Sequence, residues 1–410
     1  MTMPRLLNIN NYHYRRGGAE VVYLGHGAMF AAAGWASDWF AMKHPSNLPG
    51  TDEQHFAELI DLEHMHGRLD RISAAAAIVY NTDARRRIAG LLDERRPDIA
   101  HAHNIYHHLS PSILGELKRR GVPVVLTAHD LKLVCPSYKM LSHGQVCERC
   151  RGGRIWNVAV HKCMKDSRAL SGLIAVESAV HRIGRMYTDN IDRVVAPSIF
   201  YREKLIEWGW AADKVVYIPN FSPAEWEATP VPDDGPLLYF GRLSEEKGVA
   251  TLIRAAARSG VRVVIAGTGP QAASLGALAV DLDAPVTFAG YCTGPDLAAL
   301  FSQARAVVLP SEWYENAPIS VLEAHSAGRP VIGANIGGIP EMIRHDETGW
   351  IFASGDVDAL AARMVAVAAM PAATLSDMGC AGGVIARAQF SEARYRENIT
   401  ALYATLGVAA

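Results

Sequence analysis

Nine short apolar runs, each followed by enough chain for a helix or turn, limit this sequence to an α/β architecture. In the second half they are residues 237–240, 261–266, 286–289, 306–309 and 330–333; in the first half, residues 6–9, 99–102, 122–127 and 193–196. Continuously apolar strands are those buried on both faces, and strands joined through helices pair in parallel. Helices are expected from near Ala19 and after Ser110. A chain of 410 residues exceeds the size at which one core keeps growing, so two domains are expected. The Pro-rich stretch 218–236, with Pro219, Pro223, Pro230, Pro232 and Pro236, reads as the linker between them. The predicted organisation is an N-terminal domain over 1–200, a C-terminal domain over 237–385 and a closing helix over 391–406. A chain that is 50% hydrophobic with net charge −2 is neither disordered nor collagen-like.

Residues 314–338, YENAPISVLEAHSAGRPVIGANIGG, follow one of these strands and carry the densest chemistry. Pro318 is predicted as the first helical residue, where its missing N–H costs nothing. The unpaired N–H groups around Asn316, Ala317, Ile319 and Ser320, with the positive end of the helix dipole, suit a phosphate. Glu315 and Glu323 would repel that phosphate, so their expected partners are hydroxyls of a sugar and a ribose beside it. A second strand, 237–240, leads into FGRLSEEKG. There Gly241 and Gly248 shape the turn, Arg242 offers a bidentate fork for a diphosphate and Lys247 a point charge. Gly267 and Gly269 form a third turn of the same kind.

These segments together resemble the GT-B glycosyltransferases of family GT4. Glu315 and Glu323 match its E-x7-E motif, and Arg242 and Lys247 its G-R-x4-K-G motif. Likeness extends to Gly17-Gly18, Ala128-His129-Asp130, Ile265 to Pro270, Phe288 to Tyr291 and Gly337 to Ile343. The resemblance implies two Rossmann-like doubly wound domains facing across a cleft, with the last helix crossing back onto the first. It implies a retaining enzyme that moves a sugar from a nucleoside-diphosphate sugar to a glycan. The acceptor is expected to be lipid-linked, for example on a polyprenyl diphosphate, in bacterial capsule, exopolysaccharide or lipopolysaccharide synthesis. Arg242 and Lys247 would stabilise the departing diphosphate; Glu315 would bind the donor sugar, Glu323 the ribose, and Tyr291 would border the base. His129 would be the active-site histidine, and Gly17 and Gly18 would let backbone N–H groups approach the phosphate. No catalytic metal is required, and the pairs Asp281/Asp283 and Asp356/Asp358 read as loop or helix-start acids.

Cys135, Cys147, Cys150 and Cys163 form C-x11-C-x2-C-x12-C in a polar stretch with too little apolar content to order itself. Four thiolates including a C-x2-C turn suit tetrahedral zinc as a structural clamp, with an iron–sulfur cluster second and His143 and His161 as substitute ligands. The insertion resembles one seen in some bacterial members of the family. Zinc deaminase chemistry is excluded because the H-x-E element, His345 to Glu347, lies downstream of the cysteines. A zinc ribbon binding nucleic acid or protein, or a nucleotide-sugar epimerase of GT-B architecture, are the alternative readings. A pI of 6.8 argues against nucleic acid.

Charge is unevenly divided. Residues 1–196 hold 25 Lys and Arg against 19 Asp and Glu, net +6, leaving 15 against 23, net −8, for the rest. The clusters Arg85–Arg87, Arg95-Arg96 and Lys118–Arg120 are candidates for an anionic membrane surface. No apolar run reaches spanning length, and the N-terminus lacks a signal-peptide core. The expected location is cytoplasmic, with peripheral contact at the inner membrane face.

Overall fold

The computed structural model describes residues 3–50, 52–60, 67–222 and 226–408; Pro223 of the expected linker lies outside them. The strands are β1 (Arg5–Ile9), β2 (Ala36–Phe40), β3 (Ile99–Ala102), β4 (Val124–Thr127), β5 (Leu141–Ser142), β6 (Gln145–Val146), β7 (Arg193–Ala196), β8 (Val215–Tyr217), β9 (Leu237–Phe240), β10 (Val263–Ala266), β11 (Val286–Gly290), β12 (Ala306–Leu309), β13 (Val331–Ala334) and β14 (Gly349–Phe352). They fall into two units. One comprises Met1–Lys139, Glu148–Ile218 and Tyr395–Ala410; the other comprises Met140–Cys147 and Pro219–Arg394.

The first unit carries a parallel sheet in the order β2-β1-β3-β4-β7-β8. It runs past the expected boundary at 200, because helix Ile199–Glu207 and β8 complete the sheet. The second unit has the order β11-β10-β9-β12-β13-β14, again wholly parallel. β13 begins one residue later than expected. Pro330 has no N–H for the ladder, although its carbonyl accepts from Val307 at 3.0 Å. β2, β8 and β14, absent from the sequence reading, are all sheet edges; β2 and β8 are only partly buried, which weakens their apolar pattern, while β14 is mostly buried. β5 and β6 make a small antiparallel hairpin inside the cysteine insertion.

The C-terminal helix Glu392–Ala404 is fastened within the first unit by polar as well as apolar contacts. Tyr403 Oη lies 2.6 Å from His101 Nδ1 and 3.1 Å from His26 Nε2, and Tyr395 Oη lies 3.0 Å from His26 Nδ1. His101 Nε2 reaches Thr127 Oγ1 at 2.7 Å. All these groups are buried, and loss of solvation holds the histidines neutral, His26 down to about 3 and His101 well below its usual value. A neutral imidazole has one donor and one acceptor nitrogen, so a hydroxyl at each side satisfies it without a charge. Among the described residues no single helix is long and apolar enough to cross a membrane.

Candidate functional site

In the second unit the strand order reverses between β9 and β12, and crevices at such reversals are where open parallel sheets bind ligands. The loops leaving those two strands carry Arg242 and Lys247 on one side and Glu315 on the other. Close backbone approach joins them. A Cβ at Gly248, where φ is +66°, would stand 1.9 Å from the Pro310 carbonyl oxygen; one at Gly267, φ +153°, would stand 1.9 Å from that of Gly241. Only glycine fits either position. Leu243 N donates to Thr268 O at 2.9 Å, Gln271 N to Leu243 O at 3.0 Å and Glu312 N to Glu246 O at 3.0 Å, tying the β9 loop to both neighbours. Tyr239 Oη donates to the Arg242 carbonyl at 2.9 Å, and Gly338 N to that of Glu315 at 2.8 Å. Gly269 packs against Leu243 in the same assembly.

Lys247 Nζ donates to Glu315 Oε1 at 2.6 Å, and Ser311 Oγ donates to the same oxygen at 2.7 Å. Burial opposes the Glu315 charge, but the Lys247 ammonium and these hydrogen bonds outweigh it, so the carboxyl titrates below its ordinary range. The Trp313 ring lies 5.3 Å from Lys247 Nζ. Sequence reasoning assigned Lys247 and Glu315 to separate ligand groups; the structure pairs them with each other. Neither Ser311 nor Trp313 was singled out, since nothing but the fold brings them to the pair. Arg242 is exposed, and among the described residues no carboxylate pairs with it.

Helix Ile319–Ser326 starts beside this pair. Pro318 is its cap residue, with ψ 114°, and not its first helical residue as the sequence suggested. The first-turn N–H groups of Ile319 and Ser320 lack intrahelical acceptors by geometry. Asn316 is buried, and Ala317, Ile319 and Ser320 are half-buried. Glu323, one turn in, has no side-chain hydrogen-bond partner among the described residues, and loss of solvation raises its pKa to about 7. Tyr291 stands apart, 75% exposed beyond β11, an edge strand two places from β9.

In the first unit the order reverses between β1 and β3. Gly17 caps helix Gly18–Ala32 with extended backbone, φ −166°, and a Cβ there would meet nothing nearer than the Glu20 carboxylate at 3.5 Å. The fold itself does not require glycine at that position. His129, after β4, is half-buried as a residue, yet its imidazole is enclosed enough for lost solvation to lower its pKa to about 3. Its Nε2 lies 2.8 Å from His103 Nδ1, with the rings stacked at 5.1 Å. His103 was not singled out from sequence, although His101-x-His103 at the end of a strand is a visible signal. Cys135 and Cys150 are buried, Cys147 and Cys163 half-buried, and none is in a disulfide. Around them Tyr138, Met140, His143 and Lys162 have positive φ (57°, 48°, 51° and 49°), a concentration of backbone strain outside glycine.

Comparison with known proteins matches residues 16–225 to Glycosyltransferase Family 4 and residues 225–379 to Glycosyl transferases group 1. Glycogen synthase of Mycobacterium tuberculosis is 31% identical over 263 residues, 61% of each chain. The chain spans from 32% to 61% of the length of the first curated relatives it matches. Among solved structures, sucrose-phosphate synthase from Thermosynechococcus elongatus superposes with TM-score 0.72 at 21% identity, covering 99% of both chains. Anabaena HepE, in complex with UDP and glucose, gives TM-score 0.68 at 16% identity, covering 98% of this chain and 100% of that one. Structural likeness at these identities speaks for the fold.

The Lys247–Glu315 pair makes replacement of Lys247 a structural change. Lys247→Met leaves a buried carboxylate without its cation, which costs about 3 kcal/mol. Because the native carboxyl titrates below its unfolded value, the pair's contribution is present above that unfolded value and lost as pH falls through the native one. The variant's deficit is therefore expected at pH 7 and should shrink in acid. Arg242→Ala should leave stability unchanged. Urea unfolding of both variants measures this, and a Lys247→Met protein as stable as wild type at pH 7 contradicts it.

Proposed function

We propose a specific reaction for this chain, which belongs to Glycosyltransferase Family 4: transfer of a hexosyl group from a nucleoside-diphosphate sugar to a hydroxyl of a glycan. The observation that carries this reading is the grouping at the β9–β12 reversal of the exposed Arg242, which has no carboxylate partner among the described residues, and a helix start with the buried Lys247–Glu315 pair and Glu323, whose carboxyl is raised to about 7. Arg242 and the first-turn N–H groups favour a diphosphate, and favour it more as charge grows on it during departure. Lys247 shares its charge between Glu315 and the leaving group. Glu315 accepts from the donor sugar, Glu323 from the ribose, and Tyr291 borders the base. The backbone at Gly241, Gly267 and Gly269 carries the remaining contacts of the nucleotide.

The reaction breaks the bond between the anomeric carbon and the β-phosphate oxygen and forms a bond from that carbon to the acceptor oxygen. The acceptor proton passes to a donor phosphate oxygen, on the same face, so configuration is retained without a protein nucleophile. His129, Gly17 and Gly18 are assigned to the acceptor-domain side of this chemistry. UDP is the first nucleotide to test, because the HepE structure was solved with it. The acceptor is a lipid-linked glycan of a bacterial surface polysaccharide, used at the cytoplasmic face of the membrane. No catalytic metal takes part. Cys135, Cys147, Cys150 and Cys163 have the donor chemistry of a structural zinc, but no three of them come within ligand distance of one another in the structure, so a clamp would have to draw them together.

Thermal stabilisation by UDP-, GDP- and ADP-sugars identifies the donor. With that donor, Arg242→Ala should lower kcat/KM by about 10²-fold or more at unchanged stability. Near-normal turnover by Arg242→Ala overturns the diphosphate assignment.

Metal analysis of purified protein should find one zinc per chain, lost when Cys147 and Cys150 are both changed to Ser, while transfer by wild type survives brief EDTA treatment. A visible absorption band would identify iron–sulfur instead, and full activity of metal-free protein removes the clamp.

A further inference from the structure

The imidazole of His129 is held by a second histidine from inside the core. Strands β3 and β4 pair in parallel with Ala102 opposite Leu126, so the residues just past their ends, His103 and His129, emerge side by side. His103 is fully buried, and its backbone N–H donates to Ile9 O at 2.8 Å. Its ring is the middle one of three in a stack, 4.9 Å from His101 at 17° and 5.1 Å from His129 at 14°. Tyr23 and His26 cross it at 67° and 73°, each with centroids at 5.5 Å. Packed in this way, the ring cannot turn over without displacing core side chains, so its Nδ1 stays 2.8 Å from His129 Nε2.

Loss of solvation keeps both imidazoles neutral, His129 down to about 3 and His103 well below its ordinary value. Of two neutral rings that share a hydrogen bond, one nitrogen donates and the other accepts. The remaining nitrogen of His103 decides which. His103 Nε2 is buried with no hydrogen-bond partner among the described residues. Were His129 the donor, the proton of His103 would sit on Nε2, a buried N–H facing no acceptor, which is the rarer kind of orphan. With His103 Nδ1 as the donor, Nε2 buries only a lone pair. His26 and His101 have no such choice to impose on His129, since their nitrogens are engaged by the hydroxyls of Tyr395, Tyr403 and Thr127.

We infer that His103 is a positioning residue for His129: its Nδ1–H donates to His129 Nε2, which fixes the proton of His129 on Nδ1 together with the plane of the ring. A histidine held this way is a hydrogen-bond donor and not a base, because its only basic nitrogen is already occupied within the core. That suits the reaction proposed above, in which a donor phosphate oxygen, and no side chain, takes the acceptor proton. The inference rests on that reading for the purpose of His129, whereas the tautomer is a property of the first unit alone.

Nitrogen NMR of the full chain carrying isotope-labelled histidine reads the tautomer directly, the His129 signals being assigned by their loss in His129→Gln. Wild type at pH 7 should carry the His129 proton on Nδ1. Two replacements of nearly equal shape then separate the hydrogen bond from packing: His103→Asn sets an amide N–H where Nδ1 stood, and His103→Leu fills the same space without a donor. In His103→Leu the His129 proton should no longer be confined to Nδ1, and kcat should fall about tenfold or more with a smaller change in the KM for donor. His103→Asn should recover most of that kcat, although both variants leave part of the ring's volume empty and lose similar stability in urea. A His129 proton on Nε2 in wild type, a tautomer unchanged in His103→Leu, or equal kcat in the two variants overturns the proposal. Should His103→Leu fail to fold, the wild-type tautomer and the kcat of His103→Asn still decide it. The expected tautomer without transfer from any nucleoside-diphosphate sugar would overturn only the reaction proposed above.

Discussion

The ion pair between Lys247 and Glu315 organises the second unit's candidate site. It joins loops from strands adjacent in the sheet but distant in sequence, and it does so at the point where the strand order reverses. A carboxylate this buried is tolerated because an ammonium at 2.6 Å and a serine hydroxyl at 2.7 Å replace its water. Gly248 and Gly267 let the neighbouring backbones come close enough for that pairing. With Glu315 and Lys247 bonded to each other, Arg242 is left without a carboxylate partner and Glu323 without a side-chain hydrogen bond among the described residues. The division of labour among four charged residues thus follows from one contact.

In the first unit, a chain of neutral histidines performs a comparable task. His26 and His101 bind the hydroxyls of Tyr395, Tyr403 and Thr127, which locks the last helix onto β3 and β4. His103 continues the stack to His129. The orientation of His129 is consequently set from inside the core.

Buried strands and glycine-rich turns were legible in the sequence because their composition is dictated locally: a strand covered on both faces must be apolar, and a turn with positive φ favours glycine. β9 and β12 lie at their expected bounds, and the Gly241 to Gly248 and Glu315 to Glu323 segments were recognisable from residue type and spacing. The edge strands β2 and β8 were not legible, since much of each is only partly buried and its pattern blurs, whereas β14 is mostly buried and was hidden by its shortness after the polar turn His345 to Thr348. Partnerships across the sheet were also hidden. Ser311 beside Glu315, His103 beside His129 and the tyrosines of the last helix beside His26 depend on tertiary placement, to which periodicity is blind. The basic clusters of the first unit illustrate the converse, because several of their carboxylate partners come from other elements: Glu58 for Arg87, Glu116 for Arg85, Asp38 and Asp52 for Arg95, and Asp192 for Lys118.

Proton exchange on donor binding is the most direct measurement. Glu323, held near 7 in the free protein, accepts from two ribose hydroxyls best as a carboxylate, since the protonated acid turns one oxygen into a donor. Titration calorimetry near pH 6.5, in buffers of differing ionisation enthalpy, counts the protons released when the best-binding nucleoside-diphosphate sugar is added; its diphosphate has no ionisation in that range. The account predicts release of part of one proton, tighter binding as pH rises through 7, and loss of both effects in Glu323→Gln. Binding with no proton release, or an unchanged pH dependence in that variant, would contradict the placement of the donor on this site.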